Sequence, residues 1–212
     1  MKVVYYGYRD WSFKIFNNLN VTDKYLVTHK DYKIINNIKP DLVFFVGWSD
    51  IVPETIIANN LCVCLHPSPL PKYRGGSPIQ NQLLKNEKTS MVSLFIMDEG
   101  IDTGDILFQG KINLKGQLKD IFSEIVQQGS KGVNFIVDNF NEIPIIRNKQ
   151  ELSSGTFFNR LKPEDSELRL SDFENHGPEY FYNKIRGLDS PYPNAYIKCK
   201  NGEKLYILKT KY

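Results

Sequence analysis

Leu42-Val43-Phe44-Phe45-Val46-Gly47 is the stretch on which the fold turns. Its apolar residues do not alternate with polar ones, so it does not read as a strand with one wet face. A short run of this kind, closed by glycine, suits a strand buried on both faces of a parallel sheet. Working outward, residues 2–6 read as another short strand, and Gly7 opens a turn before the amphipathic stretch 12–19, where Ser12 is placed to cap a helix. A weaker strand follows at 25–28, then a helix over 31–38 that Pro40 stops. Beyond the central run, Pro53 suits the first turn of a short helix to Ala58, and 61–65 is a second apolar strand ending at His66.

The second half continues the alternation. Residues 77–85 read as helix, 91–97 as strand, 106–108 as strand and 118–140 as a long helix whose middle is weakened by Gly129 and Gly132. Strands and helices in this rhythm predict an α/β domain, a mainly parallel twisted sheet with flanking helices, over residues 1–140. Residues 141–212 read as an extension with a helix at 179–185 and two β-rich runs, 195–200 and 205–209. Asn201-Gly202 between them predicts a two-residue hairpin turn with positive φ at both positions.

Composition narrows the function classes. The 212 residues are 41% hydrophobic and 24% charged, the make-up of an ordinary globule. Twenty-seven basic against 24 acidic side chains leave a net charge of +3, too small a surplus to point to nucleic acid. No apolar run approaches the roughly 20 residues of a membrane-spanning helix. Lys2, Arg9 and Asp10 break up the N-terminus, so no secretory signal is read there and a cytoplasmic location is expected. Three cysteines, with Cys62 and Cys64 on one face of a strand, lack zinc-ligand spacing. They read as reduced thiols, and no metal is expected.

Two loops carry the chemistry. One is Cys64-Leu65-His66-Pro67-Ser68-Pro69-Leu70-Pro71-Lys72-Tyr73-Arg74-Gly75-Gly76; the other is Met97-Asp98-Glu99-Gly100-Ile101-Asp102-Thr103-Gly104-Asp105. In a parallel sheet both would emerge at the same edge, so His66 and Asp102 could meet. A histidine held by a carboxylate gains basicity and a fixed tautomer, which suits it to take a proton from an attacking amine. Read singly, each loop is as well explained by a strand-capping histidine or an acidic surface turn.

Together, His-Pro-Ser-x-Leu-Pro-x-Tyr-Arg-Gly at 66–75 and the Asp98–Asp105 loop resemble the formyltransferases that use 10-formyltetrahydrofolate. Arg160-Leu161-Lys162-Pro163-Glu164-Asp165, Ile185-Arg186-Gly187-Leu188 and Pro191-Tyr192-Pro193-Asn194-Ala195 resemble the C-terminal segment of the methionyl-tRNA and sugar members. The resemblance implies a Rossmann-like fold and direct attack of a primary amine on the formyl carbon. It implies that His66 stabilises the oxyanion and relays protons, and that Asp102 supports it. The family's asparagine two residues before the histidine is Cys64 here, a weak donor. Either Gln80 or Asn81 supplies the missing amide, or turnover is slow; a packed thiol is favoured over a nucleophile for Cys64.

By the same resemblance Trp48, Ser49, Asp50, Ile51 and Val52, with Asp98 and Gly100, would wall the folate pocket. Trp48 reads equally well as core. Lys72 and Arg74 would neutralise phosphate or else lie in a solvated loop, and Arg9 or Trp11 would touch a diphosphate or base or else serve a structural turn. The bulky loop Gly7-Tyr8-Arg9-Asp10-Trp11 argues against a small ribonucleotide. The tRNA-acting members carry a further β-barrel of about one hundred residues, and only 18 residues follow Asn194 here, so a nucleotide-linked amino sugar is the expected acceptor, a 4-amino-4,6-dideoxyhexose destined for a surface glycan. A homodimer is the expected assembly. Glycinamide ribonucleotide or methionyl-tRNA formylation, formyl-folate hydrolysis and non-catalytic binding stay open. A dinucleotide oxidoreductase is set aside because the first turn lacks Gly-x-Gly-x-x-Gly.

Overall fold

The computed structural model describes residues 1–211. Its centre is a six-stranded sheet. Strands β1 (Lys2–Tyr6), β2 (Asp23–Val27), β3 (Leu42–Val46) and β4 (Cys62–His66) alternate with helices α1 (Asp10–Asn17), α2 (Lys33–Ile38) and α3 (Glu54–Asn59). A two-residue strand, β5 (Arg74–Gly75), and helix α4 (Pro78–Leu84) lead to β6 (Thr89–Ile96), β7 (Ile106–Asn113) and the long helix α5 (Leu118–Asp138). The order across the sheet is β2-β1-β3-β4-β6-β7. The first four strands pair in parallel, whereas β6 runs antiparallel to both β4 and β7.

All five residues of β3 are buried, and the pleat explains why. Phe44 joins the core beneath α1, α4 and α5 with Ile15, Leu83 and Ile125, while Phe45 joins the opposite core with Ile35, Val52 and Cys62. A strand sandwiched this way has no wet face, so its sequence has no alternation. Among the described residues no helix is long and apolar enough to cross a membrane.

Three expectations need correction. Ser12 does not cap α1; Arg9 holds that position and Ser12 sits fully buried in the first turn, its carbonyl accepting from the Tyr5 hydroxyl at 2.8 Å. Gly129 and Gly132 do not interrupt α5. They let it approach its neighbours, because a β-carbon at Gly129 would lie 2.6 Å from Ile15 Cδ1 and one at Gly132 2.5 Å from Leu94 Cδ1. The C-terminal hairpin of β9 (Ala195–Lys198) and β10 (Lys204–Ile207) turns through three residues between the paired Cys199 and Glu203, and only Gly202 takes positive φ.

After α5 the chain does not leave the sheet. A short helix, α6 (Ile143–Ile146), brings Asn148 into an antiparallel bridge with Ile106. Strand β8 (Phe157–Phe158) then pairs with β5. Helix α8 (Pro178–Gly187) packs with β9 and β10 around Leu168, Ile185, Leu188 and Ala195 and rests on α4, while the short α7 (Leu170–Asn175) before it stacks Phe173 on Phe181 of α8.

Candidate active site

The site is built on β4. Period-two geometry points Cys62, Cys64 and His66 to the face carrying α2 and α3. His66, 6% exposed, ends the strand, and the chain then turns through Pro67 and Pro69 to Tyr73, whose φ of 60° swings its carbonyl back to His66 Nε2 at 2.8 Å.

Asp102 does not arrive from the edge where β4 ends. Because β6 is antiparallel to β4, Ile96 stands level with Val63, at the far end of β4 from His66. The loop between β6 and β7 crosses the strand face instead, with Met97 packing into the same apolar cluster as Cys64. Asp102, in left-handed backbone at φ 56°, then places Oδ2 3.4 Å from His66 Nδ1, and the same oxygen accepts from Gly75 N at 2.8 Å. The two residues meet as expected, by a route that the parallel-sheet argument does not give.

The hydrogen bonds define what the imidazole can do. With Nε2 donating to the Tyr73 carbonyl, neutral His66 turns the Nδ1 lone pair toward the Asp102 carboxylate. Protonated His66 donates to both oxygens. The two contacts fix the orientation of the ring.

Cys64 lies beside this pair. Burial first, then the Asp102 charge and Cys62, push its thiol well above the ordinary cysteine range. It stays protonated, with Sγ 3.8 Å from the Leu65 carbonyl, which fits a packed thiol and not a nucleophile. The two amides expected to compensate for it are committed elsewhere. Gln80 Nε2 donates to Gly187 O at 3.1 Å, joining α4 to α8, and Asn81 Nδ2 donates to Gly76 O at 2.9 Å and Ser77 O at 3.1 Å. These amide donors of α4 go to holding the fold, while Gln80 Oε1 is buried without a partner.

The expected folate walls gather over the same face. Trp48 is mostly an aromatic packing residue, edge-on to Tyr6 at 5.3 Å and to Tyr8 at 5.5 Å, with Nε1 donating to Tyr32 Oη at 3.3 Å. Ser49 bonds the Tyr8 hydroxyl, Asp50 is exposed, and Val52 is buried in the core. Ile51 projects into solvent, 87% exposed. On the facing loop Asp98 Oδ1 accepts from Gly100 N at 3.1 Å and Thr103 Oγ1 at 2.6 Å, and Ile101 is 57% exposed. Two large aliphatic side chains, Ile51 and Ile101, thus stand uncovered on the two segments.

Arg9 and Trp11 line a separate cavity of about 500 Å³ between the start of α1 and the first turns of α5. Lys14, Lys119 and Phe122 join them, residues that the motif reading missed because they lie in ordinary helix. Trp11 stacks on Phe122 at 5.9 Å, and Asp10 is the acidic member of the lining. Lys72 is exposed, whereas Arg74 is partly buried on β5 with Nε lacking a partner. Other residues that the motifs did not single out are Tyr73, whose carbonyl holds His66, and Gly75, whose amide holds Asp102.

Comparison with known proteins agrees with this geometry. Residues 10–130 match the formyl transferase family model. Curated methionyl-tRNA formyltransferases align at 26–33% identity, and the chain spans 52–63% of their length. A solved methionyl-tRNA formyltransferase from Clostridium thermocellum is 30% identical and superposes with a TM-score of 0.80, over 98% of this chain and 97% of that one. HypX from Aquifex aeolicus, solved with tetrahydrofolic acid, superposes at 0.82 over 99% of this chain and 37% of its own, at 19% identity. A 4-N formyltransferase from Francisella tularensis superposes at 0.77 over 100% and 98%, also at 19% identity. The match across the sheet and both loops makes this chain a member of the formyl transferase family.

Proposed function

We propose that the protein transfers a formyl group from 10-formyltetrahydrofolate to the amine of a nucleotide-linked amino sugar. The observation that carries the transfer is the buried pair His66–Asp102 at 3.4 Å. Ile51 and Ile101, uncovered on the two segments assigned to the folate, would offer apolar surface to a flat ring such as a pterin.

In the reaction the acceptor nitrogen bonds to the formyl carbon, the bond from that carbon to N10 of the folate breaks, and one proton passes from the amine to N10. In this reading the Nε2–H of His66 turns from the Tyr73 carbonyl to the oxyanion of the tetrahedral state and relays the proton, and Asp102 holds the imidazole at Nδ1 while it is charged. Cys64 contributes a weak donor at most.

For the acceptor, the cavity beside Arg9 supports a small nucleotide. Its volume of about 500 Å³ lies in the ordinary range for small ligands, about 300–1,000 Å³, and it joins three cations to a stacked aromatic pair. Methionyl-tRNA is the second reading, favoured by the names of the curated relatives and of the Clostridium structure. The test is tetrahydrofolate release from 10-formyltetrahydrofolate with three acceptors: nucleotide-linked 4-amino sugars, glycinamide ribonucleotide and methionyl-tRNA. Release that depends on the amino sugar supports the proposal. Release only with methionyl-tRNA or with glycinamide ribonucleotide, release without any acceptor, or no release at all overturns it.

A further inference from the structure

One contact to the Asp102 loop comes from outside both motifs. Gln150 lies on the segment between α6 and β8, 6% exposed, and its Nε2 donates to the carbonyls of Asp102 at 3.0 Å and Gly104 at 2.7 Å. Two residues earlier, Asn148 and Ile106 exchange both backbone hydrogen bonds at 2.8 Å, so the segment is docked in register at the start of β7. Asp102 needs such support. A left-handed conformation at a residue with a β-carbon persists only where its surroundings over-determine it. Here one amide side chain grips the Asp102 carbonyl, and Gly75 N grips its carboxylate.

The other end of the Gln150 amide argues that placement, not stability, is what the residue serves. Its Oε1 is buried without a partner, an arrangement that an apolar side chain of the same shape would avoid. The same segment also reaches the histidine side of the pair. Thr156 Oγ1 accepts from Tyr73 N at 2.8 Å, next to the carbonyl that bonds His66.

We propose that Gln150 is a positioning residue that fixes Asp102 against His66 by holding the backbone at Asp102 and just beyond it. The proposal rests on the formyl-transfer reading for its kinetic consequence, though not for its structural one.

Gln150→Met keeps the length and the apolar stem and removes both donors. The expected result is a fall in kcat on the order of 100-fold, the scale of a misplaced catalytic group, with KM and the melting midpoint little changed. In an Asp102→Asn background the same substitution has little further effect, because it acts only through Asp102. Unchanged kcat, equal losses in both backgrounds, or a loss that tracks a lowered melting midpoint would overturn the proposal. If Gln150→Met does not fold, Gln150→Asn, one methylene short of both carbonyls, serves the same comparison.

If the wild-type protein transfers formyl to no acceptor, the formyl-transfer reading has failed and hydrogen exchange decides this one. The Gly75 amide, which donates to Asp102, then exchanges faster in the variant while the amides of β3 stay protected. Equal protection of Gly75 in both proteins overturns it.

Discussion

The strands of the sheet and the loop that joins its two antiparallel end strands are held by different forces. Strands β1, β3 and β4 are apolar on both faces, and their positions follow from burial. At the other end, β6 and β7 enclose the Asp98–Asp105 loop, which lies where it does through hydrogen bonds from Gly75, Thr103 and Gln150. Hydrophobic burial is non-directional and tolerates small shifts, whereas a proton relay does not. The sheet keeps its stability in the burial of its strands and its aim in the hydrogen bonds of this loop, with His66 at the seam.

That division is open to experiment. Its largest consequence is kinetic: His66→Asn and Asp102→Asn should each lower kcat by roughly 10²–10⁴-fold, the usual contribution of general acid–base catalysis. Both variants should melt near the wild-type temperature, and wild-type turnover in either would remove the pair from the mechanism. The converse substitution belongs to the strands. Phe44 is fully buried beneath α1 and α5, so Phe44→Ala should cost about 3–5 kcal/mol in urea unfolding. Its kcat, measured on the folded fraction, should change little. A large kinetic defect there would mean that the core also sets the aim of the loop.

Cys64→Asn probes the seam. Asn81 spends both amide N–H groups on backbone carbonyls and Gln80 spends one on Gly187, so neither side chain is held ready to replace the missing oxyanion donor. An asparagine on the His66 face of β4 should raise kcat, by less than the roughly 10²–10³-fold that a native oxyanion donor contributes, because it must fit beside Cys62 and Met97. A fall in kcat would show that the face has repacked around the thiol.

Legibility in the sequence follows the same line. Leu42–Val46 announces its own environment, since only a doubly covered strand tolerates five apolar residues in a row. His66 and Asp102 were legible through motif context, yet the sequence could not show that β6 is reversed, because strand direction leaves no mark on hydropathy. Gln150 was invisible for a related reason. It sits in Lys149-Gln150-Glu151, a polar run indistinguishable from surface, and its burial comes from the Asn148–Ile106 bridge, a contact 42 residues apart in sequence. Gln80 and Asn81 show the opposite case: polar residues beside a motif look functional, but each amide nitrogen donates to a backbone carbonyl of the fold.

The smallest predicted effect concerns thiol chemistry on β4. Burial pushes Cys62 up to about 12 and holds Cys64 well above its usual value, while Cys199 is exposed. Iodoacetamide at pH 8 should therefore modify Cys199 and leave the two strand thiols intact, because alkylation requires an accessible thiolate. The same burial links stability to pH. A thiol whose folded pKa is raised contributes its stability below the unfolded value of about 8.5 and loses it as pH climbs toward the folded value. The melting midpoint should fall above about pH 8.5, and Cys62 should become alkylated only as the sheet opens. Modification of Cys62 at pH 8, before any loss of structure, would show that the parallel half opens locally and would blur the division between buried strands and hydrogen-bonded loop.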